Sequence, residues 1–132
     1  MPSGYLDVMK FHKKFGIVTP EGVQSLAADV AEFRQKFLHE ELREFAEAHG
    51  AADVVGAVDA LIDLVYVAYG TALLMGVTPE QWAKCWAAVQ EANMSKVRCE
   101  SAAESKRGHS LDVRKPEGWV APTVRQRQVL GV

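Results

Sequence analysis

The chain has 132 residues, a length that fits one domain and allows a stable buried core. A formal net charge of −2 excludes a general electrostatic attraction to nucleic-acid polymers or anionic membranes, so we expect neither as a partner. The two cysteines, Cys85 and Cys99, form no metal-binding spacing, and with no secretory signal at the start they favour a reduced, cytoplasmic protein.

Helical signals dominate the sequence from its first residues, while strand patterns are weak throughout. Glycines, prolines and capping residues divide the signals into four predicted helices over residues 5–15, 22–48, 51–75 and 79–95. We therefore predict a helical body over residues 1–98 and a mostly irregular tail over residues 99–132, which packs on the body or on a partner subunit. Short connections favour an antiparallel arrangement, so the expected fold class is an all-α four-helix bundle.

On the second predicted helix, an apolar stripe runs directly into acidic residues. The stripe consists of Leu26, Val30, Phe33 and Phe37. At 100° per residue, Glu40, Glu41 and Glu44 continue it within about a 100° arc, on the inward face of the helix. One interpretation is a functional carboxylate cluster. The alternative is a solvated acidic face, because surface glutamates on helices are common.

The third predicted helix is apolar all round, as expected for a buried element. Asp59 and Asp63 are the only charged residues between positions 54 and 79, and their four-residue spacing places them on one face. Burying an unpaired carboxylate in such a helix would cost roughly several kcal/mol of folding free energy, unless the charge were neutralised. These two residues are therefore strong candidates for a site.

An antiparallel hairpin with its turn near Gly50 would bring the two acidic groups to overlapping heights, within about one 5.4 Å helical turn. Up to five carboxylates would then converge, without a matching set of cations. Hard oxygen ligands without His or Cys indicate Mg²⁺ or Mn²⁺. Mg²⁺ held by carboxylates usually also binds phosphate oxygens, so this pattern predicts a phosphate-handling metal site.

These acidic motifs resemble the ExxE…ExxD signature of the all-α NTP pyrophosphatase (MazG-like) superfamily. Residues 41–44 (Glu-Leu-Arg-Glu) match its first half, and residues 59–63 (Asp-Ala-Leu-Ile-Asp) resemble its second. Further likeness to the bacterial and phage phosphoribosyl-ATP pyrophosphohydrolase-like group spans FHKKFG at 11–16, LVYVAYGTA at 64–72, NMSK at 93–96 and KPEGW at 115–119. One departure is Ala60, where the signature has Glu; Asp59 is the candidate substitute ligand.

The resemblance implies a Mg²⁺-dependent hydrolase acting on phosphoric anhydrides. Such an enzyme would cleave a (d)NTP between its α and β phosphates, giving the monophosphate and pyrophosphate. It also implies metal ligation by a set of carboxylates, among which Glu44 and Asp63 are the best candidates for direct ligands. The full implied set is Glu40, Glu41, Glu44, Asp59 and Asp63. Glu41 or Glu40 would orient or deprotonate the attacking water.

Substrate binding is assigned by the same resemblance to Asn93, Lys96 and His12. Lys96 would balance phosphate charge, although a cation also suits a helix C-terminus. His12, beside Phe11, is also a candidate for a base pocket, although core packing is the interpretation that the sequence favours. The apolar third helix and its small residues further predict a homodimer or homotetramer.

Two other functions remain open as alternatives, and a third is disfavoured. Phosphoribosyl-ATP hydrolysis is an alternative within the superfamily. A non-catalytic, nucleotide-binding helical protein is a second alternative, which the Ala60 departure favours. A di-iron carboxylate bundle is disfavoured, because the sequence lacks the Glu-x-x-His pairs that such sites use.

Overall fold

A computed structural model describes residues 3–132 of the chain. The described helices are α1 (Gly4–Lys14), α2 (Ala28–Gly50), α3 (Val54–Leu74), α4 (Pro79–Met94) and α5 (Thr123–Leu130). Two short strands, β1 (Val97–Arg98) and β2 (Val113–Arg114), form one antiparallel pair. The prediction of an all-α fold is confirmed.

The chain divides into two compact units, the first ending at Pro79 and the second beginning at Glu80. In the first unit, α3 packs against both α1 and α2. Its core includes the buried side chains of Tyr5, Val8 and Leu73. The buried Tyr5 hydroxyl donates a 2.7 Å hydrogen bond to the carbonyl of Val77, which ties the start of α1 to the segment after α3.

A tight turn joins α2 to α3 and fixes their antiparallel register. Ala52 adopts a positive φ of 54°, and the Asp53 carboxylate caps α3 by accepting a 2.9 Å hydrogen bond from the Gly56 amide. Ala48 consequently lies against Gly56, and about four turns further along the helix pair, Arg34 of α2 reaches the α3 backbone. This register places the acidic segment of α2 opposite that of α3.

The second helix begins at Ala28, six residues later than predicted, and the earlier start at residue 22 is wrong. Gly22 has a φ of +82°, which does not fit a right-handed helix. The Gln24 amide donates instead to the carbonyl of Met75, 2.9 Å away, so this segment is tied to the end of α3. Tertiary hydrogen bonding here overrides the helical pattern of the sequence.

In the second unit, the indole N–H of Trp119 donates a 2.7 Å hydrogen bond to the carbonyl of Ala92 on α4. Asp112 organises the loop between the strands by accepting 2.6 Å hydrogen bonds from Ser105 and Arg107. These bonds also hold the pKa of Asp112 far below its ordinary value. Helix α5 lies within the tail, and most other tail residues are irregular.

Candidate metal centre

Three carboxylates converge between α2 and α3. Glu41 and Glu44 are one turn apart on α2, and Asp63 faces them from α3. One oxygen of each carboxylate lies within 4.8 Å of the other two. The antiparallel register explains this meeting, because the turn is nearly equidistant along the two helices from Glu41 and Asp63. We refer to these three residues as the carboxylate cluster.

Glu41 is the most buried member of the cluster, with 7% of its surface exposed. Its Oε2 atom is buried and has no hydrogen-bond partner among the described residues. Burial raises the pKa of Glu41 to about 7, and a side-chain hydrogen bond with Glu44 and the nearby charges of Glu44 and Asp63 reinforce the effect. An orphaned carboxylate oxygen beside two further carboxylates is the environment in which a bound cation would be most stabilising.

Asp63 shows the same effect from the opposite helix. Its partial burial, followed by the charges of Asp59 and Glu44, raises its pKa above the ordinary aspartate value. No lysine, arginine or histidine within residues 3–132 forms an ion pair with the cluster. The three donors are hard oxygen ligands, so their chemistry fits a divalent cation of the Mg²⁺ or Mn²⁺ type.

The other two predicted ligands lie beside the carboxylate cluster. Glu40 and Asp59 are exposed, and neither belongs to the group whose oxygens meet within 4.8 Å. Both remain electrostatically close, because Glu40 contributes to the raised pKa of Glu41 and Asp59 to that of Asp63. Ala60, which occupies the position where the signature has Glu, is buried in the core.

His12 lies on α1 and is 97% buried, with only 3% of its surface exposed. Its Nε2 atom lies 3.0 Å from the point where a Cβ would stand on Gly70 of α3, so glycine permits this close approach. Burial, with a smaller contribution from the positive charge of Arg34, lowers the pKa of His12. The imidazole is therefore favoured in its neutral form.

Asn93 and Lys96 belong to the second unit, at and just after the end of α4. Asn93 is exposed, and the Lys96 ammonium lies 5.3 Å from the ring centroid of Trp119. Lys115 approaches the same ring at 4.8 Å. The substrate-binding roles of Asn93 and Lys96 remain predictions.

Arg34 is the residue of this region that the sequence interpretation missed. A charge in a long polar helix usually indicates the surface, yet Arg34 is only 8% exposed. The available signal was its position, since Arg34 follows Val30 by four residues and precedes Glu41 by seven, on the same helix face.

Comparison with known proteins agrees with these features. The family model for phosphoribosyl-ATP pyrophosphohydrolase matches residues 8–93, about two thirds of the chain, including α2, α3 and the whole carboxylate cluster. The match ends before Lys96 and the tail. A search of curated proteins finds no significant match. With its all-α fold, the chain thus belongs to the phosphoribosyl-ATP pyrophosphohydrolase family, within the MazG-like all-α NTP pyrophosphatase superfamily.

Proposed function

We propose that the protein is a Mg²⁺-dependent nucleotide pyrophosphohydrolase that cleaves the α–β phosphoric anhydride of a (d)NTP to the monophosphate and pyrophosphate. Membership of the family supports a hydrolase acting on phosphoric anhydrides. The carboxylate cluster of Glu41, Glu44 and Asp63, with one oxygen of each within 4.8 Å, is the observation that carries the proposal. Its oxygens lack counter-cations in the described part of the chain, which supports a metal-dependent reaction.

A Mg²⁺ ion bound here would supply phosphate neutralisation and a lowered pKa for the attacking water. Glu44 and Asp63 would hold the ion through carboxylate oxygens. Glu41 would accept the proton of the water, because its buried Oε2 has no hydrogen-bond partner among the described residues and lies beside the two carboxylates that would hold the ion. Glu40 is the alternative base, and its exposed position makes it the weaker candidate.

Phosphoribosyl-ATP is the second candidate substrate, and the description of the matching family favours it. Both substrates present the same anhydride to the carboxylate cluster. They differ because phosphoribosyl-ATP carries an additional phosphoribosyl group on its base, which a site away from the metal would have to recognise. We therefore propose the same hydrolytic mechanism at the carboxylate cluster for both substrate classes.

The decisive assay measures pyrophosphate and monophosphate release from NTPs, dNTPs, modified nucleotides and phosphoribosyl-ATP, with Mg²⁺ or with chelator. Glu44→Gln and Asp63→Asn are expected to lower kcat at least about 100-fold, because losing a direct ligand should cost more than losing a group that hydrogen-bonds to one, which costs roughly 10- to 100-fold. Glu47→Gln is the matched control, because Glu47 lies on the same helix but is exposed and paired with Arg43 at 2.6 Å.

Metal-dependent release that both variants lose would establish the reaction, and the relative kcat/KM values would identify the substrate class. Nucleotide binding by calorimetry without turnover on any substrate would instead favour the non-catalytic binding alternative. Equal activity of Asp63→Asn and Glu47→Gln would show that the carboxylate cluster is not the metal centre.

We also propose a homodimer or homotetramer in the cytoplasm, formed through α3. By length and composition alone this helix could cross a membrane, and only 28% of its most apolar window is buried. Its exposed apolar side chains are Val54, Val55, Val58, Leu61, Ile62 and Val65. An apolar face of this extent is typical of a subunit interface, and two aspartates in the same helix disfavour a lipid environment.

Light scattering after size exclusion tests this assembly. Val58→Lys is expected to shift the native oligomer toward monomer, because it places a charge in the apolar face. Val18→Lys is the matched control, since Val18 is 80% exposed and belongs to the loop after α1 rather than to α3. A native protein that is monomeric at micromolar concentration would overturn the proposal.

A further inference from the structure

Arg34 is a buried cation without a counter-anion in the part of the chain that the structure describes. Its Nε donates to the hydroxyl of Thr71 at 3.1 Å, and its Nη2 donates to the carbonyl of Val67 at 3.0 Å. Both acceptors are neutral. The third nitrogen, Nη1, donates to no described residue, so its two N–H groups remain available to a ligand.

The surroundings of Arg34 raise the cost of leaving its charge uncompensated. Its guanidinium carbon lies 5.7 Å from the ring centroid of Phe33 and 5.4 Å from that of Phe37. These cation–π contacts supply only part of the lost hydration. Burial lowers the pKa of Arg34, which is the electrostatic signature of a cation lacking a nearby anion.

A second orphaned group lies at the same place. Nδ1 of the buried His12 has no hydrogen-bond partner among residues 3–132. A Cβ on Gly70 would stand 3.0 Å from His12 Nε2 and 2.6 Å from Arg34 Nη2, so both side chains converge on this glycine. A buried imidazole and a buried guanidinium are thus brought together where α1, α2 and α3 meet.

This location lies along the same helix pair as the carboxylate cluster. Arg34 precedes Glu41 by seven residues on α2, and Gly70 follows Asp63 by seven residues on α3. Seven residues of α-helix are about 10.5 Å, so Arg34 and the cluster are separated along the helix pair by roughly two turns. A nucleotide whose anhydride lies at the cluster has a second part that can extend toward Arg34.

We propose that Arg34 and His12 form an anion subsite that binds a phosphoryl group of the substrate away from the scissile anhydride. This inference rests on the proposed function for the direction in which the substrate lies. Two phosphoryl groups have the required chemistry: the terminal phosphate of the triphosphate, and the phosphate of a phosphoribosyl group attached to the base. A buried arginine with free N–H donors suits either, because charge-assisted hydrogen bonds to phosphate strengthen when water is excluded.

The test uses the full-length protein in chelator, where the metal-free carboxylate cluster repels anions. Inorganic pyrophosphate represents the leaving end of the substrate, and ribose 5-phosphate represents the phosphoribosyl end. NMR signals of the Arg34 Nε–H and the His12 ring report binding directly in the native protein. We expect saturable shifts with at least one probe, and the probe that binds more tightly identifies which end of the substrate lies there.

Arg34→Gln should weaken that probe's affinity by about 10- to 100-fold, the usual effect of losing a charge-assisted hydrogen bond. Arg34→Lys retains the charge and should recover part of the affinity. Arg43→Gln is the matched control, because Arg43 is exposed on the same helix and paired with Glu47. Its affinity should equal that of the native protein.

Absence of saturable shifts for both probes in the native protein would overturn the subsite, whether or not the variants fold. Unchanged affinity in a folded Arg34→Gln protein would also overturn it. Hydrolysis with Mg²⁺ is measured separately, so turnover without anion binding rejects only the subsite. Anion binding without turnover rejects only the proposed reaction.

Discussion

The carboxylate of Glu41 on α2 faces that of Asp63 on α3, with an oxygen of each within 4.8 Å. Folding brings these like charges together in a partly buried space. The free-energy cost of ionisation is greatest at Glu41, because its Oε2 is buried without a hydrogen-bond partner among the described residues. A carboxylate that is stabilised neither by a cation nor by a donor favours its protonated form. The metal-free protein is therefore strained electrostatically at the place where a cation would bind.

Replacing Glu41 by glutamine should stabilise the metal-free protein above neutral pH. The folded-state pKa of Glu41, about 7, exceeds its ordinary value of 4.5, so the acid contributes full stability only below 4.5 and loses it as pH rises through 7. Glutamine mimics the protonated acid at all pH values. In chelator at about pH 8 we expect Glu41→Gln to raise Tm by several degrees, with the gain shrinking toward about pH 5.

Thermal unfolding in chelator across that pH range measures the effect. Glu47→Gln is the control, because Glu47 is exposed and already paired with Arg43, and its Tm should stay within about a degree of the native value. A Glu41→Gln protein that is less stable than the native protein at high pH would contradict the burial and repulsion seen at this carboxylate.

Divalent cations should relieve the electrostatic repulsion within the carboxylate cluster of the native protein. Saturating Mg²⁺ or Mn²⁺ is expected to raise Tm, because a ligand that binds only the folded state stabilises it by mass action. The increase should disappear in Glu44→Gln and Asp63→Asn. Glu40→Gln and Asp59→Asn should retain most of it, since these carboxylates lie outside the group that meets within 4.8 Å.

Differential scanning fluorimetry with and without metal separates these four carboxylates into the two classes. Na⁺ at matched ionic strength controls for general screening. Equal losses in all four variants would mean that Glu40 and Asp59 are also direct ligands. A metal-induced increase in Tm that Asp63→Asn leaves intact would place the ion elsewhere.

The affinity for Mg²⁺ should depend on pH around neutrality, which is unusual for carboxylate ligands. Metal binds the deprotonated acid, so protons compete as pH falls through the Glu41 pKa of about 7. Below that point we expect the dissociation constant to rise about tenfold per pH unit for each proton released. Calorimetry at several pH values in buffers of different ionisation enthalpy measures both the affinity and the protons released.

Glu41→Gln is the informative comparison, because it removes the group that titrates near neutral pH. Its affinity should vary much less with pH around neutrality, because the group whose pKa lies near 7 is absent. An affinity in the native protein that is flat across neutral pH would contradict the raised pKa of Glu41.

The sequence predicted the all-α fold and the meeting of acidic residues because both depend on helical periodicity. Glu41, Glu44 and Asp63 share inward faces at 100° per residue, and a short turn fixes their heights. Periodicity did not resolve which neighbours would be exposed: Glu40 lies 100° around the helix from Glu41, and its side chain reaches solvent. That distinction depends on how closely the facing helix packs.

Two features lay beyond sequence patterns because tertiary contacts determine them. The start of α2 was predicted too early, since nothing local signals the hydrogen bond from the Gln24 amide to the Met75 carbonyl. Arg34 was passed over because its burial depends on the space above Gly70, a position distant in sequence. Both errors concern long-range packing rather than helix propensity.

The turn that ends α3 supplies a test of such long-range packing. Gly76 has a φ of +81°, and a Cβ added there would overlap the carbonyl of Gly22. Gly76→Ala therefore combines backbone strain with displacement of the segment before α2, and we expect a loss of roughly 2–4 kcal/mol in the free energy of unfolding. Gly16→Ala is the matched control: Gly16 has a φ of +67° but nothing within 4 Å of the added Cβ, so strain alone should cost about 1–2 kcal/mol. Denaturant unfolding measures both variants, and equal losses would show that the contact between the two glycine segments contributes nothing to stability.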